Sequence, residues 1–452
     1  MDKQHENPLG VEPINHLMAR FAIPSIIAML VSALYNMVDQ FFIGHSVGMQ
    51  GNAATNVAFP LTITCTAVSL LFGIGGAANF NLSMGRKKPE EAKHFIGNAI
   101  FLMLSFGITL CLLVFLFLDP LLKLFGATSD ILTYSRTYTS ITAFGFPFVI
   151  LATGGSNLVR ADGSPNFSMA CTLIGCLINL VLDPLFIFVF HMGMAGAAWA
   201  TIIGQIISAS MVIWYLTRFK TVKLTLKELR PRAFACRRIL SLGMSPFLNQ
   251  LAIMIVQVVM NNVLVFYGGQ SVYGSEIPLA CAGIISKVNM IFFSISIGLS
   301  QGMQPIASFN YGAENYGRVR EAVIKTMTAS TLICTVAFIL FQLFPRQITG
   351  IFGSGSEEYF TFASRYFRIF LFFTFLNGIQ PVAGNFFTAI GKPVYGIFIS
   401  LTRQILFLLP LILILPQFFG IDGVLYSAPI ADFMAAVLAF FLTFRQLNKL
   451  GK

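Results

Sequence analysis

The chain has 452 residues, 56% of them apolar and only 10% charged, with 29 Lys and Arg against 18 Asp and Glu for a net charge of +11. An average soluble domain carries about 25% charged residues, so too little charge is present to clothe a soluble core of this size. The composition excludes a disordered chain, a collagen and an ordinary soluble enzyme, and it points to a polytopic membrane protein whose solvent is mostly lipid.

Twelve apolar segments follow one another, each long enough to cross about 30 Å of hydrocarbon at about 1.5 Å per residue. They run 23–44, 56–80, 95–118, 134–158, 165–190, 195–216, 242–267, 279–305, 324–344, 360–389, 393–416 and 423–445. Long runs without apolar–polar alternation predict helices, not barrel strands. The leader MDKQHENPLGVEPINHLMAR is polar for too long to open a cleavable signal peptide. The expected architecture is an all-α polytopic membrane protein. One six-helix bundle spans 1–216, a basic linker spans 217–241 and a second six-helix bundle spans 242–452.

Charge inside a span is costly, so each instance marks a functional position by default. The first span reads VSALYNMVDQFFIG around Asp39, with Pro24 nearer its start. Tyr35 and Asn36 precede Asp39 by four and three residues and share its helix face. The fifth span reads CLINLVLDPLF, with Asn179 four residues before Asp183, and the sixth carries Thr201 at a similar depth. Two carboxylates close together in a poorly solvated site cannot easily both stay ionised, so the pair is suited to bind and release a proton. The same oxygens suit Na⁺, a hard cation. The blander reading of Asp183–Pro184 is a helix irregularity near a wet end. Later spans hold Lys287, Arg403 and Asp432. Lys287 and Asp432 fall at similar depth, which reads as a buried ion pair, with Arg403 a competitor for Asp432, ahead of a substrate role.

Twelve spans put both termini on one side. Of the Lys and Arg residues, 22 fall on that side, from Lys3 in the leader to Lys452 at the end, and at most 5 fall opposite. Basic loops stay in the cytoplasm, so both termini are expected there. The net charge is thereby a matter of topology, and no basic–aromatic motif for nucleic acid appears. The seven Cys form no CxxC, and six lie in apolar runs, which excludes a disulfide framework or a zinc site. His5, His16, His45, His94 and His191 all sit in tails, loops or span ends, so no intramembrane metal site is expected. There is no GxxxxGK[ST], HExxH or GxSxG, so the chain is expected to be neither an ATP-driven pump nor an enzyme, and to need no cofactor.

The halves repeat. Gly75 matches Gly302, Gly85 matches Gly312, Phe125-Gly126 matches Phe352-Gly353, and Gly193 and Gly196 match Gly420 and Gly423, all at an offset of 227. Ala161-Asp-Gly-Ser-Pro165 matches Ala389-Ile-Gly-Lys-Pro393 at 228. Six spans per half make the repeats parallel, a transporter signature with the substrate site between halves. Aligning Pro24 with Pro246 sets Asn261 at the position of Asp39, so the carboxylate pair belongs to the first half alone. The 47 Phe and 18 Met must mostly face lipid or pack helices, but some line the cleft, where they suit organic cations through cation–π contacts.

The motifs VDQFFIG (38–44), GRKKPEEAKHFIGNAI, RADGSP (160–165) and INLVLDPLFIF (178–188) followed by MGMAGAAWAT resemble those of the multidrug and toxic compound extrusion (MATE) family, over nearly the whole chain. Within it they most resemble the MepA-like bacterial exporters. The resemblance implies antiport, in which a drug leaves as H⁺ or Na⁺ enters. It also implies a cation site at the positions of Tyr35, Asp39, Asn179, Asp183 and Thr201, and a first helix that bends at Pro24. The expected partners are small organic, cationic drugs and the bilayer, with the chain working as a monomer. A lipid-linked or polysaccharide flippase of the same superfamily is the alternative. It calls for a cleft rich in Arg and Lys, and only Lys287 and Arg403 are on hand. A channel would need a polar ring through its pore.

Overall fold

The computed structural model describes residues 7–352 and 356–450. Lys3, His5, Gly353 and Lys452 lie outside these residues. Among the described residues every membrane-length element is a helix, as backbone groups in lipid require. The first half comprises α1 (Ile14–Ser46), α2 (Met49–Gly85), α3 (Pro89–Leu116), α4 (Ser129–Phe144 and Phe146–Ala161, bent by 54°), α5 (Pro165–Pro184, continued by a π-helical turn Leu185–Val189) and α6 (Gly193–Leu216). The second comprises α7 (Ala233–Gly269), α8 (Glu276–Gly312), α9 (Tyr316–Leu343), α10 (Glu357–Phe370 and Thr374–Ala389, bent by 42°), α11 (Pro393–Leu401, a π-helical stretch Thr402–Leu408, and Leu409–Phe419) and α12 (Ile421–Leu447). Among the described residues ten helices are long and apolar enough to span unaided, and the two bent pairs, each taken as one span, make twelve.

The helices outrun the apolar segments. α1 begins at Ile14, not near 23, and α7 begins at Ala233, so helix claims the last nine residues of the expected 217–241 linker. Hydropathy sees only the part of a helix that meets lipid, whereas backbone hydrogen bonding carries these helices on into water, with Arg237 and Arg238 on the projecting turns of α7. Short helices Leu118–Leu124 and Pro345–Phe352 follow α3 and α9.

The repeat is structural. α2 and α8 each have 37 residues, and α3 and α9 each have 28, in register at the offset of 227. The turn after α2 holds Lys87 at φ 58° and the turn after α8 holds Glu314 at φ 61°, left-handed conformations rare for such residues.

The halves seal at the end that carries the linker. Residues 71–83 of α2 and 298–308 of α8 are buried without a break, while towards the far end exposed residues recur on both helices, among them Phe59 and Met290. Glycine allows the close approach. A Cβ at Gly85 would lie 2.1 Å from the Phe309 carbonyl oxygen, and one at Gly312 would lie 2.3 Å from that of Leu82. Leu82 and Phe309 are themselves 227 apart, so the contact is two-fold symmetric. The first helices cross over: Ile14, Leu17 and Phe21 of α1 pack in the core of the second half, and Ala235 and Ile239 of α7 in that of the first.

Candidate functional site

α1 and α5 bring Asp39 and Asp183 face to face inside the first bundle. Asp183 is fully buried and Asp39 partly so. One oxygen of each, Oδ1 in both cases, is buried without a hydrogen-bond partner. A buried carboxylate oxygen left unpaired is expensive, so this arrangement calls for a proton or a small cation. Asn179, one turn before Asp183, completes its other side. With its amide nitrogen turned to the carboxylate, Asn179 donates to Asp183 Oδ2 at 2.7 Å. Its amide also lies 3.2 Å from Thr201 Oγ1, which donates to the Ala197 carbonyl at 3.0 Å. Tyr35 lies near both carboxylates and Thr201.

Pro184 has no N–H to return to Leu180, and the helix widens into its π-helical turn immediately afterwards. Beyond it, Ile43, Ala54, Ile187, Met194 and Ala197 close an apolar plug over the far end of the site. Pro24 lies buried within an unbroken α1.

Five of the six residues expected at this site come together. Asn36 does not: it is exposed, and its amide donates to the Ser32 carbonyl at 2.7 Å. Asn36 stands about 60° round the helix from Asp39 on the side away from Tyr35, and about 100° from Tyr35 itself, which leaves it outside the first-bundle interior. Tyr138 of α4 was missed. Its hydroxyl lies within electrostatic range of both Asp39 and Asp183. The available signal was a Tyr pair four residues apart, Tyr134 and Tyr138, in the Ser/Thr-rich stretch SDILTYSRTYTSITAF.

The second half holds a different charge cluster. Arg403 Nε donates to Asp432 Oδ1 at 2.6 Å, and Asn377 Nδ2 donates to Oδ2 at 3.1 Å. The expected pairing of Lys287 with Asp432 is thus replaced by Arg403. Lys287 is exposed on α8 and has no ion-pair partner among the described residues. Arg403 lies in the π-helical stretch of α11, the counterpart in the repeat of α5.

At the linker end, Asp162 anchors the linker. Its carboxylate accepts from the Tyr215 hydroxyl at 2.8 Å, from the backbone N–H groups of Lys220 and Thr221 at 2.7 and 3.0 Å, and from the Thr221 hydroxyl at 2.5 Å. Burial still leaves that carboxyl above its ordinary pKa, because desolvation outweighs these bonds. Among the described residues no group of three or more His, Cys, Asp or Glu is placed to hold a metal ion.

The model of the MatE family matches residues 24–185 and 251–414, one copy in each half. The multidrug export protein MepA of Staphylococcus haemolyticus (strain JCSC1435) is 26% identical over 434 residues, covering 96% of this chain and 94% of that protein. Among solved structures, an outward-facing multidrug resistance MATE family transporter of the MOP superfamily superposes with a TM-score of 0.90 at 22% identity, covering 98% of this chain and 99% of that one. A MOP superfamily transporter from Pyrococcus furiosus superposes with a TM-score of 0.92 at 21% identity, covering both chains fully.

Proposed function

The chain belongs to the MatE family, and from that premise we propose that it is a multidrug exporter that couples the exit of organic, cationic drugs to the entry of H⁺ or Na⁺. The observation that carries the coupling is the facing pair Asp39 and Asp183, each with an unpartnered buried oxygen, in a membrane-embedded bundle. Asn179 bonds to Asp183 and is held in turn by Thr201, with Tyr35 and Tyr138 close by. Ion binding removes the pair's need for water and polar partners. α1 then repacks, with Pro24 as its hinge, since a proline leaves the carbonyl four residues before it free to move. This shrinks the drug's share of the cleft, a shift that needs only a few kcal/mol of differential binding.

The transport unit we envisage is two six-helix bundles, within 1–216 and 242–452, joined by the basic linker. Both termini face the cytoplasm of a bacterial cell, as the charge asymmetry requires. Both charged clusters are complete within one chain, which favours a working monomer. No cofactor takes part. The test is efflux of a fluorescent organic cation from vesicles of reconstituted protein, with H⁺ and Na⁺ gradients imposed separately. Stimulation by one gradient and its loss in Asp183→Asn are expected. Efflux indifferent to both gradients would refute coupling.

A further inference from the structure

The RADGSP segment holds a second buried charge that the coupling site does not use. Arg160, in the last turn of α4, is 5% exposed. Its guanidinium has five N–H donors. Its hydrogen bonds are to Gln301 Oε1 of α8 at 3.0 Å and to Asn157 Oδ1 at 3.4 Å. No carboxylate lies within ion-pairing distance among the described residues, and Asp162, two residues on, is taken up by the linker. Gln301 is itself 6% exposed and lies in the uninterrupted buried stretch of α8 that forms the seal between halves. The Arg160–Gln301 bond therefore crosses from one half to the other inside the closed end.

The fold does not require this charge. The repeat sets Arg160 against Thr388, by the alignment of RADGSP with TAIGKP. Thr388 is buried at the matching place and turns its hydroxyl back to the Gly384 carbonyl of its own helix. A neutral residue thus builds the same turn in the second half.

We propose that Arg160 is the gate residue of the linker end: its desolvation destabilises the closed seal, Gln301 offsets part of that penalty, and the balance keeps the two access states close enough for ion and drug to switch them. A buried cation without a counter-charge is unfavourable, and opening the linker end returns it to water. The proposal rests on the alternating-access reading above. Its readout is conformational, so it stands or falls apart from the coupling ion.

The test uses the full chain with its native cysteines replaced and one reporter, Ser308→Cys. Ser308 is fully buried, one turn before Gly312 on the sealed face. A water-soluble maleimide reaches it when the linker end opens. In Gln301→Glu the new carboxylate gives Arg160 its counter-charge, and labelling should slow. Arg160→Thr, which installs the residue of the other half, should also slow it, because the desolvated charge is gone. Gln301→Ala strands the guanidinium, and labelling should speed up. Each change should be about 10- to 150-fold, the span expected for one hydrogen bond to a buried charged group. Unchanged labelling in Gln301→Glu, or faster labelling in a folded Arg160→Thr protein, would make Arg160 an ordinary fastener and overturn the proposal.

Discussion

The glycine contact at the linker end makes the conformational balance open to a one-methyl perturbation. In Gly85→Ala the new Cβ would sit 2.1 Å from the Phe309 carbonyl oxygen, and in Gly312→Ala 2.3 Å from that of Leu82. Both obstacles are backbone atoms of the opposite half, so no side-chain rotation relieves them. Overpacking a tight contact costs about 1–3 kcal/mol. The clash exists only while the halves meet, so this penalty falls on the closed state and shifts the ratio of closed to open about 5- to 150-fold towards opening. Two-fold symmetry predicts equal effects from the two substitutions. The double variant should add less than the sum, since one separation relieves both clashes. Gly283→Ala is the control: it lies on α8 with nothing near its would-be Cβ, and a helix gains slightly from the exchange. The assay is a pulsed electron–electron distance measurement between spin labels at Lys88→Cys and Asn315→Cys, in the exposed turns after α2 and α8. A longer-distance population should grow in both variants and not in the control. An unchanged distribution in folded Gly85→Ala and Gly312→Ala proteins would show that this contact does not separate during transport.

Three further outcomes are expected. Asp183→Asn should insert and fold normally yet abolish ion-driven efflux, because an amide keeps the bulk and loses the titratable oxygen; full efflux from a well-expressed variant would refute the coupling role. Single cysteines within 45–55 or 268–278 should react with impermeant thiol reagents applied outside intact cells, and cysteines within 217–232 should not; the reverse pattern would invert the topology. Asp432→Asn should lower stability by about 3–5 kcal/mol by leaving Arg403 without its charge partner, measured as a drop in melting temperature. Replacing both residues by Leu should recover most of the loss, and failure to recover would point to a role for the pair beyond packing.

The span count was legible because it depends on local hydropathy, and the repeat because its glycines stand at a constant offset. Asp39 and Asp183 stood out since charge is scarce in lipid. Rotation about a helix was harder to read. Asn36 and Tyr35 are both within a turn of Asp39, but only the neighbours packed around α1 decide which one turns inward. Lys287 and Asp432 match in depth, which hydropathy yields, but face different ways, which it does not. Tyr138 gave only the faint signal of one Tyr pair, in a chain where 13% of residues are aromatic. By sequence Arg160 falls in RADGSP between two spans, and only the structure sets its guanidinium against the other half.

The two halves share a topology and differ in how each satisfies a buried carboxylate. In the first, Asp183 precedes the π-helical turn of α5 and, with Asp39, leaves two oxygens unpartnered. In the second, the π-helical stretch of α11 brings Arg403 to Asp432, and Asn377 takes the remaining oxygen. A π-helical segment shifts the register of the side chains that follow, which lets a helix aim a charged group without breaking its hydrogen-bonded ladder. The second half thus carries its neutralising cation among its own side chains, while the first leaves its two carboxylates without one among the described residues. Under the coupling reading this divides the labour. The second half is a fixed wall whose carboxylate is already paired, and the first changes its packing with each ion bound and released. The crossing of α1 into the core of the second half transmits that change. Ile14, Leu17 and Phe21 are gripped there, while Asp39 sits in the first bundle, so repacking around the ion pulls on a helix held at its other end.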